Sequence, residues 1–279
     1  MSEPRCLVIC CAYLGRCYSG FQYQENAPSI QGCLERAASK ICKEAIRIHG
    51  CSRTDAGVHA HGHVSHFITS CPIPVERLAL ALNAHLPEDI SVLAAAEMPL
   101  DFHARFDACG KSYSYRYYLG NARHALYVDQ SSFVAMHDRE LDLQAMREAA
   151  EMIRGKKDFK CFQAAGSDLK GSTVREVDRL ELSFEDSYRQ IPGKILRLDI
   201  HGSGFLYNMV RIIAGTLLYI GQGRLELSDL EAALRSGDRR LLGKTMPAAG
   251  LCLESVDYPS GHSPDFHYPD SNRPTPTLL

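Results

Sequence analysis

The run Cys51-Ser52-Arg53-Thr54-Asp55-Ala56-Gly57-Val58-His59-Ala60-His61-Gly62-His63 is the densest cluster of polar and reactive side chains in the chain. It falls between two short strand-like segments, where a rigid support commonly displays functional residues on a loop. Arg53 and Asp55 stand two apart, so in an extended loop they project to similar sides and the guanidinium holds the carboxylate ionised. Such a carboxylate can act as a nucleophile toward a sugar or an activated ring carbon. The competing reading is an ordinary turn, with Asp55 and Gly57 selected for turn geometry and Arg53 in a surface ion pair. His59, His61, His63 and His66 invite a metal, because alternate histidines on a strand share a face. No carboxylate or cysteine stands at a spacing that completes the site, so a histidine-rich loop and strand edge is the preferred reading.

Two further groups carry chemistry. Tyr113, Tyr115 and Tyr117 alternate along one strand face, with Arg105, Lys111, Arg116 and Arg123 close in sequence. Aromatic planes among cations suit unstacked RNA bases and their backbone, whereas three tyrosines on a strand face also suit a core with satisfied hydroxyls. Arg211 lies in an apolar stretch, Phe205 to Ile220, where a guanidinium needs a carboxylate partner, either within its own half or across a cleft. Gly202-Ser-Gly204 resembles the start of a dinucleotide fingerprint, but Tyr207 occupies the third glycine position and no phosphate site follows.

The elements that must position these residues follow from periodicity. Arg5 to Tyr13 reads as a strand, a helix capped by Ser29 has apolar positions from Ile30 to Ile41, and strands run over Ile46 to His49 and His63 to Thr69. A helix over Val75 to His85 and a strand over Ile90 to Met98 complete β-α-β-β-α-β. The order begins again with a strand over Ser112 to Leu119, a helix over Asp142 to Arg154, and strands over Val174 to Glu185 and Ile195 to His201. A long helix over Phe205 to Ile220, a shorter one opened by a Ser228-Asp-Leu-Glu231 capping box, and a strand over Leu251 to Tyr258 close it. The expected fold is therefore α+β, with two ferredoxin-like halves whose antiparallel sheets form a central cleft. The first half spans 1–104 and carries the Asp55 loop, the second spans 105–258, and 259–279, rich in proline, reads as a disordered tail.

Composition agrees with a folded, soluble chain. Of 279 residues, 45% are hydrophobic and 23% charged, and the net charge of −2 means that a nucleic-acid partner must be met by a local basic patch. The apolar stretch around Arg211 is shorter than the ~20 residues of a bilayer span. The N-terminus lacks signal-peptide regions, which predicts a cytoplasmic protein. Eleven cysteines without any Cys-x-x-Cys pair read as reduced core thiols.

Several motifs together resemble the bacterial tRNA pseudouridine synthase A family. Tyr13-Leu-Gly-Arg-Cys-Tyr18-Ser-Gly20-Phe21-Gln22-Tyr-Gln24 is similar to its N-terminal signature, and Arg53-Thr-Asp55-Ala-Gly57-Val-His59-Ala to its catalytic motif. Phe102-His103-Ala-Arg105-Phe106 with Lys111-Ser-Tyr113-Ser-Tyr115, then Phe205 to Gly215 and Ala249-Gly250-Leu251, extend the likeness over about residues 6 to 258. His63 stands where a glutamine is frequent and Asn208 where a histidine is frequent.

The resemblance implies an isomerase that turns uridine in tRNA into pseudouridine, by detaching the base from N1 and rejoining it to the ribose through C5, without cofactor or metal. It implies that Asp55 is the nucleophile, toward C1′ of the ribose or C6 of the uracil. Tyr113 would stack on the base and help remove the C5 proton, Arg211 would pair with Asp55, and Arg53 would assist extrusion of the base. With Arg53, the residues His59, Arg105, Lys111 and Arg116 are expected to contact RNA. It further implies a homodimer that holds an anticodon arm, with uridines at tRNA positions 38 to 40 as targets. The alternatives are a non-catalytic RNA-binding module on the same basic surface, and a nucleotide-dependent oxidoreductase on the Gly202 turn. Pure binding has no use for a carboxylate that repels phosphate, and the dinucleotide fingerprint is incomplete.

Overall fold

Arg5–Tyr13 forms β1, and Ser29 then caps α1, Ile30–Cys42, its hydroxyl accepting the Gly32 N–H at 3.2 Å. The buried side of α1 is Ile30, Cys33, Leu34, Ala37 and Ala38, the spacing of three and four that places one stripe against a sheet. These elements belong to a computed structural model that describes residues 3–136, 140–166, 171–185 and 192–269. The chain divides into two compact units, Met1–Cys109 with Glu254–Leu279, and Gly110–Leu253.

In the first unit β1 is followed by β2, His49–Gly50, β3, His59–Thr69, α2, Val75–Asn83, and β4, Ile90–Met98. The sheet order is β4-β1-β3, with β2 also on β3, and every one of these pairs is antiparallel. Burial of Cys6, Leu7, Val8, Ile9, Val64, Phe67, Val92 and Ala94 puts the core on this sheet. Two boundaries differ from the periodicity. Strand β3 begins at His59, four residues before the expected start, so the loop that carries Asp55 is shorter; Ile46 to Ile48 stay irregular and only His49–Gly50 pair.

The segment after Tyr258 is not the free tail that its composition predicts, as far as it is described. His267 N–H donates to Ala95 O at 2.7 Å and Ala95 N–H to His267 O at 3.1 Å, so it pairs with β4. This isolated bridge covers one residue of the β4 edge. Residues 270–279 lie outside the described residues.

The second unit contains β5, Gly110–Gly120, β6, Ser132–Ala135, α3, Leu143–Ile153, β7, Gly155–Asp158, β8, Val174–Phe184, β9, Gly193–Gly202, α4, Met209–Gly221, and α5, Leu227–Ser236. With Leu251–Leu253 of β10, Leu251–Asp257, the order is β10-β5-β9-β8-β7, and β6 runs parallel to β5. The chain is thus mixed α and β. β6 and β7 go unseen in the alternation because they are four residues each and Gly-Lys-Lys-Asp has no strand propensity of its own. α4 starts at Met209, not Phe205, because Asn208 sits in the left-handed region at φ 59°, which no helix continues through. The box that opens α5 is Glu226 with Asp229, whose carboxylate accepts the Glu226 N–H at 2.9 Å, two residues before the expected one. Among the described residues no helix is long and apolar enough to cross a membrane.

Candidate active site

The Asp55 loop is held from below by the N-terminal signature. Tyr13 and Thr54 hydroxyls meet at 2.8 Å, Phe21 N–H donates to Thr54 O at 3.1 Å, and Gly57 N–H donates to Tyr18 O at 3.3 Å. Val58 N–H closes the turn onto Asp55 O at 3.1 Å, with Gly57 at φ 81°. His63, its ring stacked on Phe21 at 3.9 Å, makes a 3.1 Å contact from Nε2 to Ser52 O. The outcome is a loop with Thr54 and Val58 buried, Asp55 half-buried and Arg53 exposed.

His59, expected to contact RNA, is buried in the described structure. Its side chain is 6% exposed and Nδ1 accepts the Gly15 N–H at 3.2 Å, so the ring fastens β3 to the segment after β1. A ring so enclosed positions the loop.

In the second unit all three alternating tyrosines of the strand are buried. Tyr115 donates its hydroxyl to Pro247 O at 2.9 Å and Tyr117 donates to Ala214 O at 2.8 Å, both fully buried, which is the satisfied-core arrangement and not an RNA-facing one. Burial raises both hydroxyl pKa values far above that of free tyrosine. Tyr113, 7% exposed, lies on the same face nearer the start of β5, its ring edge-on to Phe205 at 5.3 Å. Arg211, half-buried in the first turn of α4, donates Nε to Met246 O at 2.6 Å and Nη1 to Asn208 Oδ1 at 2.6 Å. The left-handed turn at Asn208 is what places its amide beside the guanidinium. Two consecutive carbonyls, Met246 and Pro247, therefore hold Arg211 and Tyr115, which fixes the approach of α4 to β5.

The basic residues divide. Arg116 faces Arg197 across β5 and β9, a like-charge pair that is tolerated because Glu185 Oε1 lies 2.6 Å from Arg116 Nε and 3.5 Å from Arg197 Nη1. Lys111 is half-buried opposite Gly202, and Arg105 is exposed.

Arg105 belongs to a turn braced by histidines. His66, 5% exposed, accepts the Ala104 N–H on Nδ1 at 3.2 Å and lies among the rings of His49, 5.2 Å away, and His103, 4.8 Å away. Burial first, then the neighbouring His103 and His49, push its pKa down to about 4, with Asp107 opposing weakly. The unfolded ring titrates near 6.5, so between those values the unfolded chain binds the extra proton. Stability is full above about pH 6.5 and falls toward pH 4. By linkage, the loss from pH 7.5 to pH 5 is about 2 kcal/mol, roughly 5 °C in Tm. His66→Asn, whose Oδ1 replaces Nδ1 as acceptor, is expected to flatten that acid limb in thermal melts; an unchanged slope assigns it to other groups.

Comparison with known proteins adds an independent observation. The family profile described as tRNA pseudouridine synthase matches residues 9–107 and 149–259, spans that contain Asp55 and Arg211 while Tyr113 lies between them. The tRNA pseudouridine synthase A of Ruminiclostridium cellulolyticum is 41% identical to this chain over 247 residues, covering 88% of this chain and 96% of that one. The proteins of the same name from Citrifermentans bemidjiense and Caldicellulosiruptor bescii are 42% and 41% identical, over 88% and 91% of this chain and 94% and 100% of theirs.

Proposed function

We propose a mechanism from the premise that this chain belongs to the tRNA pseudouridine synthase family. It is an isomerase that converts uridine in tRNA to pseudouridine. The C1′–N1 bond breaks, a C1′–C5 bond forms, C5 loses its proton and N1 gains one, so nothing is oxidised or consumed. Asp55 is the nucleophile in this reading. Its oxygen adds to C1′ as the base leaves and is displaced when C5 attacks C1′, or it adds to C6 and is expelled after C5 has joined the sugar. Tyr113 stacks on the detached base and takes part in removing the C5 proton, Arg211 supplies a positive charge to the reaction, and Arg53, exposed on the Asp55 loop, occupies the space that the extruded nucleotide leaves.

The observation that carries this reading is the clamping of the Asp55 loop through Thr54, Gly57 and Val58, because a nucleophile that must meet one carbon gains most from a fixed backbone. The finer architecture is two split β-α-β units: strand orders β4-β1-β3-β2 and β10-β5-β9-β8 are the same permutation of first, second, third and fourth strands. The target is the anticodon arm at positions 38 to 40, Lys111 and Arg105 meet its phosphates, and the working form is a homodimer in the cytoplasm.

The test is tritium release from tRNA transcripts labelled at C5 of uridine, with a metal chelator present. Release is expected only where labelled uridines occupy positions 38 to 40. Binding without release from any position sinks the catalytic assignment in favour of an RNA-binding module, and release from uridines elsewhere overturns the target assignment.

A further inference from the structure

The turn Phe102 to Asp107 presents one apolar ring to water on an unusually well-fastened backbone. Phe106 is 75% exposed, while Phe102 and Ala104 on the same turn are buried. His103 N–H donates to Asp107 Oδ2 at 2.7 Å, Ala104 N–H to His66 Nδ1 at 3.2 Å, and Arg105 N–H to His103 Nδ1 at 3.1 Å. Phe106 and Asp107 N–H both donate to His103 O, at 3.1 and 3.0 Å, and Tyr258 donates its hydroxyl to Ala104 O at 2.7 Å. Asp107 Oδ2 also lies 3.1 Å from His262 Nε2. The turn therefore cannot fold its phenyl ring inward without breaking several of these bonds at once. Single exposed apolar side chains are common at protein surfaces, so what sets this ring apart is its rigid backbone and its neighbours.

The ring's surroundings suit a nucleobase. The His103 ring lies beside it at 4.2 Å, tilted 35°, which extends the aromatic surface, and the Arg105 guanidinium stands 5.9 Å over the phenyl ring. Arg105 is exposed and can meet the phosphate of a nucleotide whose base lies on the phenyl ring. Ring and cation on adjacent residues of a rigid turn are the combination by which single-stranded nucleic acid is held without reading its sequence. Phenylalanine offers no hydrogen bond, so the surface accepts any unpaired base.

We infer that Phe106 is a stacking platform for one unpaired base of the bound tRNA, with His103 supporting the ring and Arg105 holding the adjoining phosphate. This rests on tRNA being the substrate. The chain has no tryptophan, so Phe106→Trp introduces a single fluorophore at the platform itself. Titration with an unmodified tRNA transcript is expected to quench its emission in step with binding measured separately by anisotropy of end-labelled tRNA. Phe106→Ala is expected to raise the Kd for tRNA roughly tenfold with Tm unchanged, and Phe106→Tyr to restore it.

Saturable tRNA binding with unchanged emission, and an alanine variant that binds as the parent does, overturns the platform and leaves the enzyme assignment standing. Absence of tRNA binding by the parent protein overturns both. Emission that shifts with protein concentration alone assigns this face to a second copy of the chain and overturns the platform as well.

Discussion

Asp55→Ala and Asp55→Asn are both expected to lower tritium release from C5-labelled tRNA by at least about 10⁴-fold, the scale on which loss of a covalent nucleophile is felt. The asparagine variant is the sharper of the two. Its amide has nearly the shape of the carboxylate and leaves Asp55 O free to accept the Val58 N–H at 3.1 Å, so the turn and its Gly57 persist. What it lacks is a formal negative charge to make and release a bond to carbon. Affinity for tRNA is expected to hold or improve, because a carboxylate near a phosphate chain is repulsive and its removal relieves that. Release within tenfold of the parent rate sinks the assignment and moves the nucleophile elsewhere. Loss of release together with loss of tRNA binding shows instead that the residue builds the binding surface.

What the sequence revealed and concealed has a physical pattern. The bounds of β1 and β4 are readable because short, largely apolar runs end before Gly15 and Pro99, and α1 because a serine cap precedes a stripe at three and four. Local chemistry decides those ends. The start of α4 was not readable, since Phe205, Leu206 and Tyr207 look helical by hydrophobicity and only the backbone angle at Asn208 shows that the turn before the helix is left-handed.

The same division holds for the site. Asp55, Tyr113 and Arg211 were legible as residue types in a motif, but the post of His59 depends on Gly15, 44 positions away, and the engagement of Arg116 depends on Glu185, 69 positions away. Separation of that size leaves no trace in spacing. Phe106 was visible as part of a motif, whereas its exposure follows from bonds to His66 and Tyr258 that close only in three dimensions.

Gly20 makes the second large effect, by a route that changes no reacting group chemically. It lies at φ +96°, a conformation in which a side chain is strained, and a Cβ there would stand 2.5 Å from Thr54 O, 3.2 Å from Asp55 C and 3.3 Å from Ala56 N. Thr54 O is held by the Phe21 N–H at 3.1 Å, so it cannot withdraw alone; the segment that carries Asp55 must move as a body. Gly20→Ala is therefore expected to cut kcat for tRNA isomerisation roughly a hundredfold, the cost of about 1 Å of misplacement at a reacting centre, while KM changes little. Stability should fall by about 1–3 kcal/mol from the strained backbone. A control separates the two consequences. Tyr117→Phe removes the buried hydroxyl that donates to Ala214 O at 2.8 Å, and it is expected to lower Tm by a similar amount with kcat intact. If Gly20→Ala also keeps its kcat, or loses activity only in proportion to the unfolded fraction, the N-terminal signature is a stability element and the Asp55 loop finds its working position without it.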